Sequence, residues 1–321
     1  MKGEGFESGK RINKHMRRFP IICCIVIVTL ITSCGHRPSN VIVIDPEPGI
    51  SRGDAEMLDA SKRHLKVAVS AILSPRETFS LYEDLFAYIG ESLGMPVEFH
   101  QRPTYQEINE MLEQGQLDFA FICSGAYIDL DQEKGVQLLA VPVTGGRTVY
   151  QAYIIVPASS PVQTFLELRN SNFAYTDPMS NTGYLYVLYR LKELNETKDE
   201  FFASTMFTYG HDISIQMVGR GIVDGASVNQ LVFDYLKEKH PQRVQDVRII
   251  EVSESYGLPP VVVSNRMAGE TRERLLQLFL HMHEDEQVRE ILQDLRIEKF
   301  LEGRDEDYHT IRYMRDMVSV E

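Results

Sequence analysis

Near its middle the chain runs Phe173-Ala174-Tyr175-Thr176-Asp177-Pro178-Met179-Ser180-Asn181-Thr182-Gly183-Tyr184, and this segment indicates the fold class more clearly than any other. Phe173–Thr176 predicts a short strand, and Asp177-Pro178 predicts a turn. The apolar residues Tyr184–Leu191 predict a helix that begins near Ser180. A strand, a turn and a helix in this order are typical of an alternating α/β protein.

Small polar residues occupy the predicted start of this helix. The first N–H groups of a helix lack intrahelical partners, and its N-terminus carries about half a positive charge, which suits an oxyanion. Ser180 and Thr182 can donate hydroxyls to such a ligand, and Gly183 lets it approach the backbone. The alternative is an ordinary helix cap, because Ser, Asn and Thr are common at that position whatever the function.

The first half of the chain alternates apolar strands with amphipathic helices. Strands are predicted at residues 65–70, 97–100, 117–122 and 136–142, with a helix after each of the first two strands. This β–α–β–α–β order predicts a parallel sheet with helices on both faces. Because ligands of such sheets bind at the carboxyl ends of the strands, we expect the site at that edge.

The second half repeats the pattern and then returns to the first half. Tyr150–Val156 predicts a strand that leads into a second α/β unit, and residues 201–207 predict a helix within that unit. Pro259–Val263 leads the chain back, and residues 271–284 and 287–295 predict two terminal amphipathic helices. Two α/β units joined by two extended crossings suggest a two-lobed protein with a cleft. One lobe is expected to comprise residues 63–152 plus 256–321, and the other residues 153–255.

The amino terminus has the pattern of a bacterial lipoprotein leader. Residues 1–18 hold six Lys and Arg against two Glu, and an uncharged run follows that is shorter than the roughly 20 residues of a membrane-spanning helix. The run ends in Leu30-Ile31-Thr32-Ser33-Cys34-Gly35, which resembles a lipobox whose cysteine becomes lipidated. We expect a signal peptide at residues 1–33, lipid on Cys34 and a flexible tether at residues 34–62. The alternative is an uncleaved signal anchor.

Charge and cysteine content argue against several classes of function. The formal net charge of −13 argues against nucleic-acid binding, which usually needs a basic surface. Cys123 is the only cysteine after Cys34 and is predicted to be a core residue. His281 and His283 are two residues apart and would face different ways on one helix, which is poor geometry for zinc. No metal and no cofactor are expected.

Short motifs follow one another from about Leu65 to Val263. They are Ser74-Pro75, Tyr105, Gly115-Gln116-Leu117-Asp118-Phe119-Ala120-Phe121, Ala126-Tyr127, Asp177-Pro178-Met179-Ser180-Asn181-Thr182-Gly183-Tyr184-Leu185, Gly210-His211-Asp212 and Val223-Asp224-Gly225. Each motif is modest alone. Together, in this order and behind a lipobox, they resemble the phosphonate, phosphite and phosphate substrate-binding proteins of ABC importers.

The resemblance implies both a fold and a set of site residues. The fold would be α/β, a two-lobed periplasmic-binding-protein type II fold in which each lobe is a mainly parallel sheet flanked by helices. By resemblance, the lobes would close around a tetrahedral oxyanion whose oxygens are held by Ser180, Asn181 and Thr182, with Gly183 beside them. The further ligand-binding candidates are Ser124, Tyr127, Ser74, Tyr105, His211 and Asp224.

Several of these candidates have a second interpretation. Tyr105 and Tyr127 can be packing aromatics, because amphipathic Tyr is common at lobe edges. Asp224 can cap a turn instead of facing the cleft. Asn181 departs from the Ser-Thr-Ser-Gly loop that is usual in the family, and its amide can reshape the pocket.

We therefore expect a lipid-anchored, extracytoplasmic and monomeric receptor that captures a phosphonate, phosphite or phosphate by cleft closure. Its partners would be the oxyanion, an ABC permease and the membrane that holds the lipid on Cys34. The alternative is a ligand sensor that signals to a membrane kinase or cyclase without transport. A hydrolase is the third interpretation, but neither Ser180 nor Ser124 lies in a Gly-x-Ser-x-Gly elbow, so no enzyme is expected.

The leader makes a prediction about attachment. Cys34→Ala should release the protein from membranes, because the acyl chains on this residue would supply the anchor. Membrane fractionation measures the bound share, and Cys24→Ala, within the apolar run, is the matched control. Continued tight attachment of Cys34→Ala would instead support an uncleaved signal anchor.

Overall fold

Two β-sheets joined by two crossing segments organise the protein, in a computed structural model that describes residues 63–70, 74–130 and 135–319. These residues belong to one compact unit of the chain. The predicted leader, Cys34 and the predicted tether lie outside the described residues. Among the described residues, no helix combines the length and the apolar character that a membrane span requires.

The strands follow one another along the chain in a regular order. They are β1 (Leu65–Val69), β2 (Val97–His100), β3 (Phe119–Phe121), β4 (Val136–Val143), β5 (Val149–Tyr150), β6 (Ala152–Pro157), β7 (Asn172–Tyr175), β8 (Ser204–Phe207), β9 (Gly225–Asn229), β10 (Val247–Val252), β11 (Tyr256–Gly257), β12 (Val261–Ser264) and β13 (Lys299–Glu302).

Helices connect most of these strands. They are α1 (Pro75–Leu93), α2 (Tyr105–Glu113), α3 (Ser124–Ile128), α4 (Tyr186–Glu193), α5 (Lys198–Phe201), α6 (His211–Gly219), α7 (Gln230–Lys239), α8 (Gly269–His281), α9 (Glu286–Asp294) and α10 (His309–Ser319).

Local sequence signals explain where the first helices begin and end. Helix α1 begins at Pro75, where the missing N–H of proline costs no hydrogen bond. It ends at Gly94, whose φ of 70° is the left-handed conformation that favours glycine. Helix α2 begins after Thr104, whose side chain accepts a hydrogen bond from the Glu107 amide.

The first sheet, which defines what we call the first lobe, has the strand order β13-β4-β12-β3-β1-β2. Strand β1 pairs in parallel with β2 and with β3, as the β–α–β–α–β pattern predicts. Strands β12, β4 and β13 pair in antiparallel fashion, because the chain re-enters this sheet from the second lobe. The sheet is therefore mixed, and the parallel arrangement is confined to one side of it.

The second sheet, which defines the second lobe, has the order β10-β6-β9-β7-β8. Strand β7 is parallel to β8 and β9, whereas β6 is antiparallel to both of its neighbours. Between the two sheets, β5 pairs with β11, so the outgoing and returning crossings are joined by an antiparallel ladder. The protein therefore has the two-lobed α/β fold that the sequence indicates.

Three large apolar clusters hold the layers of the described residues together. One packs α1, α8 and α9 on the first sheet, and another packs α6 and α7 on the second. The third includes Ile108 and Ala120 from the first lobe, Ile154 and Phe173 from the second, and Met314 of α10. The two lobes therefore share one buried cluster in addition to their separate cores.

The structure differs from the sequence-based prediction in three elements. Residues 201–207, predicted as a helix before His211, contain only the end of α5 and then strand β8. The two helices predicted at residues 271–284 and 287–295 are not the last elements, since β13 and α10 follow them. Helix α10 packs against α3 of the first lobe and α4 of the second.

Candidate functional site

The carboxyl ends of strands from both sheets meet at the junction of the lobes. In the first lobe, β3 runs into α3, and in the second, β7 runs into the loop that contains Ser180. Helix α3 packs directly against the first turn of the helix that follows this loop. The site predicted at strand ends therefore lies between the two lobes.

Ser180 begins this helix as its cap. Its hydroxyl accepts a hydrogen bond from the Gly183 amide at 3.0 Å. The first turn, Asn181–Leu185, is a π-helix, in which the Leu185 amide donates to the Ser180 carbonyl. Such wide turns are rare and are frequent at functional sites. Ser180 therefore acts as the cap of this helix, which was the alternative interpretation of the loop.

Residue 183 must be a glycine because the start of the helix lies very close to Thr176, which follows β7. A Cβ at this position would lie 2.0 Å from Thr176 Oγ1 and 3.0 Å from Ser180 Oγ. Any side chain would therefore push the helix start away from β7. Because the Gly183 carbonyl also accepts a hydrogen bond from the Thr176 amide, the loop is closed tightly on itself.

Asn181 and Thr182 are fully buried at the junction. The Asn181 amide group donates to the Tyr150 hydroxyl at 3.2 Å, and the Thr182 carbonyl accepts from the Ser227 hydroxyl. Asn181 Oδ1 and Thr182 Oγ1 have no hydrogen-bond partner within residues 63–70, 74–130 and 135–319. Buried polar atoms in folded proteins are almost always paired, so these two atoms mark a place where a ligand can supply the partner.

His211 is a neutral donor at the same place. The Asn229 amide donates to His211 Nδ1 at 3.1 Å, and Thr176 Oγ1 lies 3.1 Å from the same nitrogen. Because an amide can only donate, Nδ1 is the acceptor and Nε2 carries the proton. Burial lowers the pKa of His211 to about 3. Its Nε2 is buried and has no partner in the described part of the chain, so it can donate to an anion.

The Asp177 carboxylate joins the two lobes through backbone amides. It accepts from the Met179 amide at 2.8 Å in its own loop and from the Tyr105 amide at 3.1 Å in the first lobe. Burial raises the pKa of Asp177, and the two amide hydrogen bonds oppose that rise. Tyr105 is buried, and its ring lies beside Ser180 and Cys123. Cys123 is itself buried, as expected of a core residue.

Backbone atoms of the two lobes come very close to each other at Gly125 of α3. A Cβ at this glycine would lie 2.3 Å from the Met179 carbonyl oxygen and 2.6 Å from the Asn181 amide nitrogen. Neither atom belongs to a flexible side chain that could move aside. The lobes can therefore approach to this distance only because residue 125 has no side chain.

A second contact between the lobes surrounds Asp212. Its carboxylate accepts from the Ser74 amide at 2.9 Å, and its other oxygen pairs with Arg243 at 3.1 Å. Arg243 also pairs with Glu77 of α1 at 3.1 Å. Ser74 is thus at the lobe junction through its backbone, and its hydroxyl is half-buried at the start of α1.

Two predicted ligand residues of the first lobe donate their hydroxyl protons to other parts of the protein. The Ser124 hydroxyl donates to the Gly257 carbonyl at 2.7 Å, on the crossing strand β11. The Tyr127 hydroxyl donates to Asp305 at 2.6 Å, and its ring packs against Tyr308 at a centroid distance of 4.6 Å. Tyr127 is therefore a packing residue, which was the second interpretation of it.

Asp224, one of the predicted ligand residues, lies away from the junction of the lobes. It is exposed and precedes β9, so it stands at the amino end of a strand whose carboxyl end is at the site. Its carboxylate accepts from the Asn172 backbone amide at 2.8 Å and from the Asn172 side chain at 3.2 Å. The contacts of Asp224 are therefore with the start of β7.

A cavity of about 320 Å³ lies between the lobes beside this polar cluster. Ser70, Asn229 and Gln230 are among its lining residues, whereas Ser180, Asn181, Thr182 and Gly183 are not. These three lining residues are not among the ligand candidates predicted from the sequence. A usable signal was available, since Ser70 follows β1 directly and Asn229 ends β9 and caps α7.

The acidic groups of the site do not assemble a metal centre. Within the described ranges, no three His, Cys, Asp or Glu side chains are grouped as a metal ion would require. The polar atoms left without partners include two donors, Thr182 Oγ1 and His211 Nε2. The arrangement is suited to holding an oxyanion through hydrogen bonds.

Two lobes that meet around buried, unpartnered polar atoms define a binding protein of the periplasmic type. The family model described as "ABC transporter, phosphonate, periplasmic substrate-binding protein" matches residues 67–308. The chain belongs to this family, whose members are binding components of transporters.

Two curated relatives and one solved structure are similar to the chain. The phosphonates-binding periplasmic protein of Escherichia coli (strain K12) is 22% identical over 210 residues, 64% of this chain and 62% of that protein. The phosphate-import protein PhnD of Mycolicibacterium smegmatis is 27% identical over 168 residues, 49% of this chain and 51% of that protein. The chain thus spans less than two thirds of either relative.

The solved structure is a binding protein component of an ABC phosphonate transporter from Pseudomonas aeruginosa. It superposes with a TM-score of 0.76 at 20% identity and covers 80% of this chain and 87% of that chain. This similarity establishes the shared two-lobed fold.

The buried His211 makes a prediction about pH. Its pKa is lowered from 6.5 to about 3 in the folded protein, so the unfolded chain binds a proton that the folded chain does not. The contribution of His211 to the free energy of unfolding is fully present above the pKa that this residue has in the unfolded chain. It is lost as the pH falls towards the pKa of His211 in the folded protein. The expected slope is at most about 1.4 kcal/mol per pH unit.

His211→Asn keeps an acceptor near Nδ1 and removes the titration, so its unfolding free energy should depend less on pH in this window. Urea unfolding between about pH 7 and 4 measures the slope. His281→Asn, at an exposed histidine, is the control and should keep the wild-type slope. Equal slopes in the wild type and His211→Asn would contradict the assignment of a neutral, buried imidazole.

Proposed function

We propose that the protein is a substrate-binding component that captures a phosphonate, phosphite or phosphate between its lobes for an ABC importer. Membership of the family supports the transporter role. The names of the two curated relatives, one phosphonate-binding and one phosphate-importing, support a phosphorus oxyanion as the ligand class.

The observation that carries this proposal is the group of buried polar atoms without partners at the lobe junction. Thr182 Oγ1 and His211 Nε2 can both donate, and the start of the helix at Asn181 adds backbone N–H groups. Hydrogen bonds from such donors to a charged acceptor are stronger than those between neutral groups. A tetrahedral oxyanion has enough acceptor positions for all of them.

Local dipoles must provide the attraction, because the protein as a whole carries a formal net charge of −13. Asp177 stands close to the donors, yet its charge is spread over hydrogen bonds to the Met179 and Tyr105 amides. His211 adds a donor without adding a charge. The site therefore recognises an anion by directed hydrogen bonds and the helix start.

Closure of the cleft is the second part of the proposal. The contacts of Gly125, Asp177 and Asp212 join groups from both lobes, so they exist only when the lobes are together. A ligand that hydrogen-bonds to the junction favours this closed arrangement by its differential affinity for it. The permease would then recognise the closed form.

The remaining assignments concern the chain outside the sheets. We assign residues 1–33 to a signal peptide, Cys34 to a lipid anchor and residues 34–62 to a tether, on the leader pattern alone. The anchored protein would be extracytoplasmic and monomeric, with one lobe at residues 63–152 plus 256–321 and the other at residues 153–255.

Calorimetry with methylphosphonate, phosphite, phosphate and sulfate tests the ligand class. We expect binding of at least one phosphorus oxyanion, and no binding by any of them would overturn the proposal.

Thr182→Ala should weaken that binding by about 1–3 kcal/mol, the loss of a hydrogen bond to a charged group. Thr164→Ala, at an exposed threonine of the second lobe, is the control. An unchanged affinity in Thr182→Ala would place the oxyanion elsewhere.

Gly125→Ala tests closure. The added methyl group overlaps backbone of the opposite lobe, so it should destabilise the closed form by about 1–3 kcal/mol and weaken ligand binding to match. Gly269→Ala is the control, because a Cβ there meets no atom within 4 Å. Calorimetric affinity and small-angle scattering with and without ligand provide the readouts. Wild-type affinity in Gly125→Ala would show that binding does not require this approach of the lobes.

A further inference from the structure

The cavity between the lobes is larger than the smallest ligands of the proposed class. Its volume of about 320 Å³ corresponds to roughly ten water molecules at about 30 Å³ each. A phenyl ring or a short alkyl chain of about six heavy atoms occupies less than this volume, so the cavity has room for such a substituent.

Apolar side chains line the cavity from both lobes, among polar residues that include Arg147, Asp234 and Arg296. Tyr82 and Phe121 line it from the first lobe, with their rings in an edge contact at a centroid distance of 5.2 Å. Val232 and Tyr235 of α7 line it from the second lobe. An apolar group placed here would contact aromatic and aliphatic side chains of both lobes and would lose its contact with water.

One end of the cavity is polar and adjoins the proposed oxyanion site. The Ser70 hydroxyl lines this cavity, is fully buried and has no hydrogen-bond partner in the described part of the protein. Asn229 also lines it, and the Asn229 amide is the group that donates to His211 Nδ1. The cavity is therefore one hydrogen-bonded contact away from His211, whose Nε2 has no partner among the described residues.

We propose that this cavity receives an apolar, preferably aromatic, substituent of a phosphonate, so that the ligand class of the protein is an organophosphonate with a tail of about six heavy atoms. This inference rests on the proposed function. The phosphoryl group occupies the polar junction, and the tail extends between Tyr82 on the first lobe and Tyr235 on the second. Because the tail contacts both lobes, it also contributes to closing them.

A ligand series tests the inference on the wild-type protein. Calorimetry compares three ligands. Methylphosphonate carries the phosphoryl group without a ring, phenylphosphonate carries both the phosphoryl group and a ring, and benzoate carries a ring without phosphorus. We expect phenylphosphonate to bind at least tenfold more tightly than methylphosphonate, since even one methylene in an apolar pocket is worth about tenfold or more. Benzoate should bind much more weakly than phenylphosphonate.

Two variants test the walls through the ratio of the phenylphosphonate and methylphosphonate affinities. Val232→Phe fills the cavity from the second lobe and should lower the ratio, and Tyr235→Ala removes an aromatic contact and should lower it as well. Tyr313→Ala, at an exposed tyrosine of α10, is the control and should keep the wild-type ratio. Thermal unfolding of each variant identifies any that fails to fold, and the wild-type series stands without them.

The outcomes separate this inference from the proposed function. Binding of methylphosphonate with equal or weaker binding of phenylphosphonate would overturn the inference and leave the proposed function in place. No binding of any phosphonate, phosphite or phosphate would remove both. Binding of benzoate as tightly as phenylphosphonate would also remove both, because recognition would not depend on phosphorus.

Discussion

Backbone atoms of the two lobes approach each other at Gly125 and at the Met179–Asn181 segment, and the arrangement of the lobes in this structure depends on that approach. A methyl group at residue 125 would lie well inside contact distance of a carbonyl oxygen and an amide nitrogen. Gly183 provides a similar close approach within the second lobe, against Thr176. Two glycines thus fix where the start of the helix lies, and this position buries Thr182 and Asn181 between the lobes.

Carboxylates connect the lobes, although the protein is proposed to bind an anion. Asp177 and Asp212 both belong to the second lobe, and each accepts a backbone amide from the first. Arg243 pairs with Asp212 and with Glu77 of α1, so positive charge accompanies the second of these carboxylates. Partly exposed ion pairs contribute little stability, and we regard the buried amide hydrogen bonds of Asp177 as the stronger connection. Because these amides point at carboxylates, the donors left for a ligand are side-chain groups and the helix start.

Much of the fold follows from local sequence, and the errors have physical causes. The apolar runs of β1 and β3 and the Ser180 cap are local signals, and the structure has them where they were predicted. Residues 204–207 alternate in burial as a half-exposed strand does, which four residues are too few to distinguish from a helix. Helix α10 is stabilised by contacts with two lobes, which no local pattern reveals. The antiparallel return of β12 is likewise set by where the chain re-enters the sheet.

The candidate site was harder to predict than the fold, because hydroxyl groups are satisfied by partners far along the chain. The Ser124 hydroxyl donates a hydrogen bond to Gly257, and the Tyr127 hydroxyl donates one to Asp305. Neither partner is close in sequence. Asp224 illustrates a different limit, since only the direction of β9 shows that it lies at the opposite edge from the site. Ser70 and Asn229 could have been predicted from the sequence, because Ser70 directly follows β1 and Asn229 is the last residue of β9.

The apolar cluster that both sheets share has a thermodynamic consequence. Ile154 and Phe173 of one half pack in the same buried group as Ile108 and Ala120 of the other, with α10 laid across them. Disordering either half would expose apolar surface of its neighbour to water, which is unfavourable in proportion to the area uncovered. Each half therefore depends on the other for the burial of part of its apolar surface, and a ligand that bound at their boundary would raise the temperature at which both halves unfold.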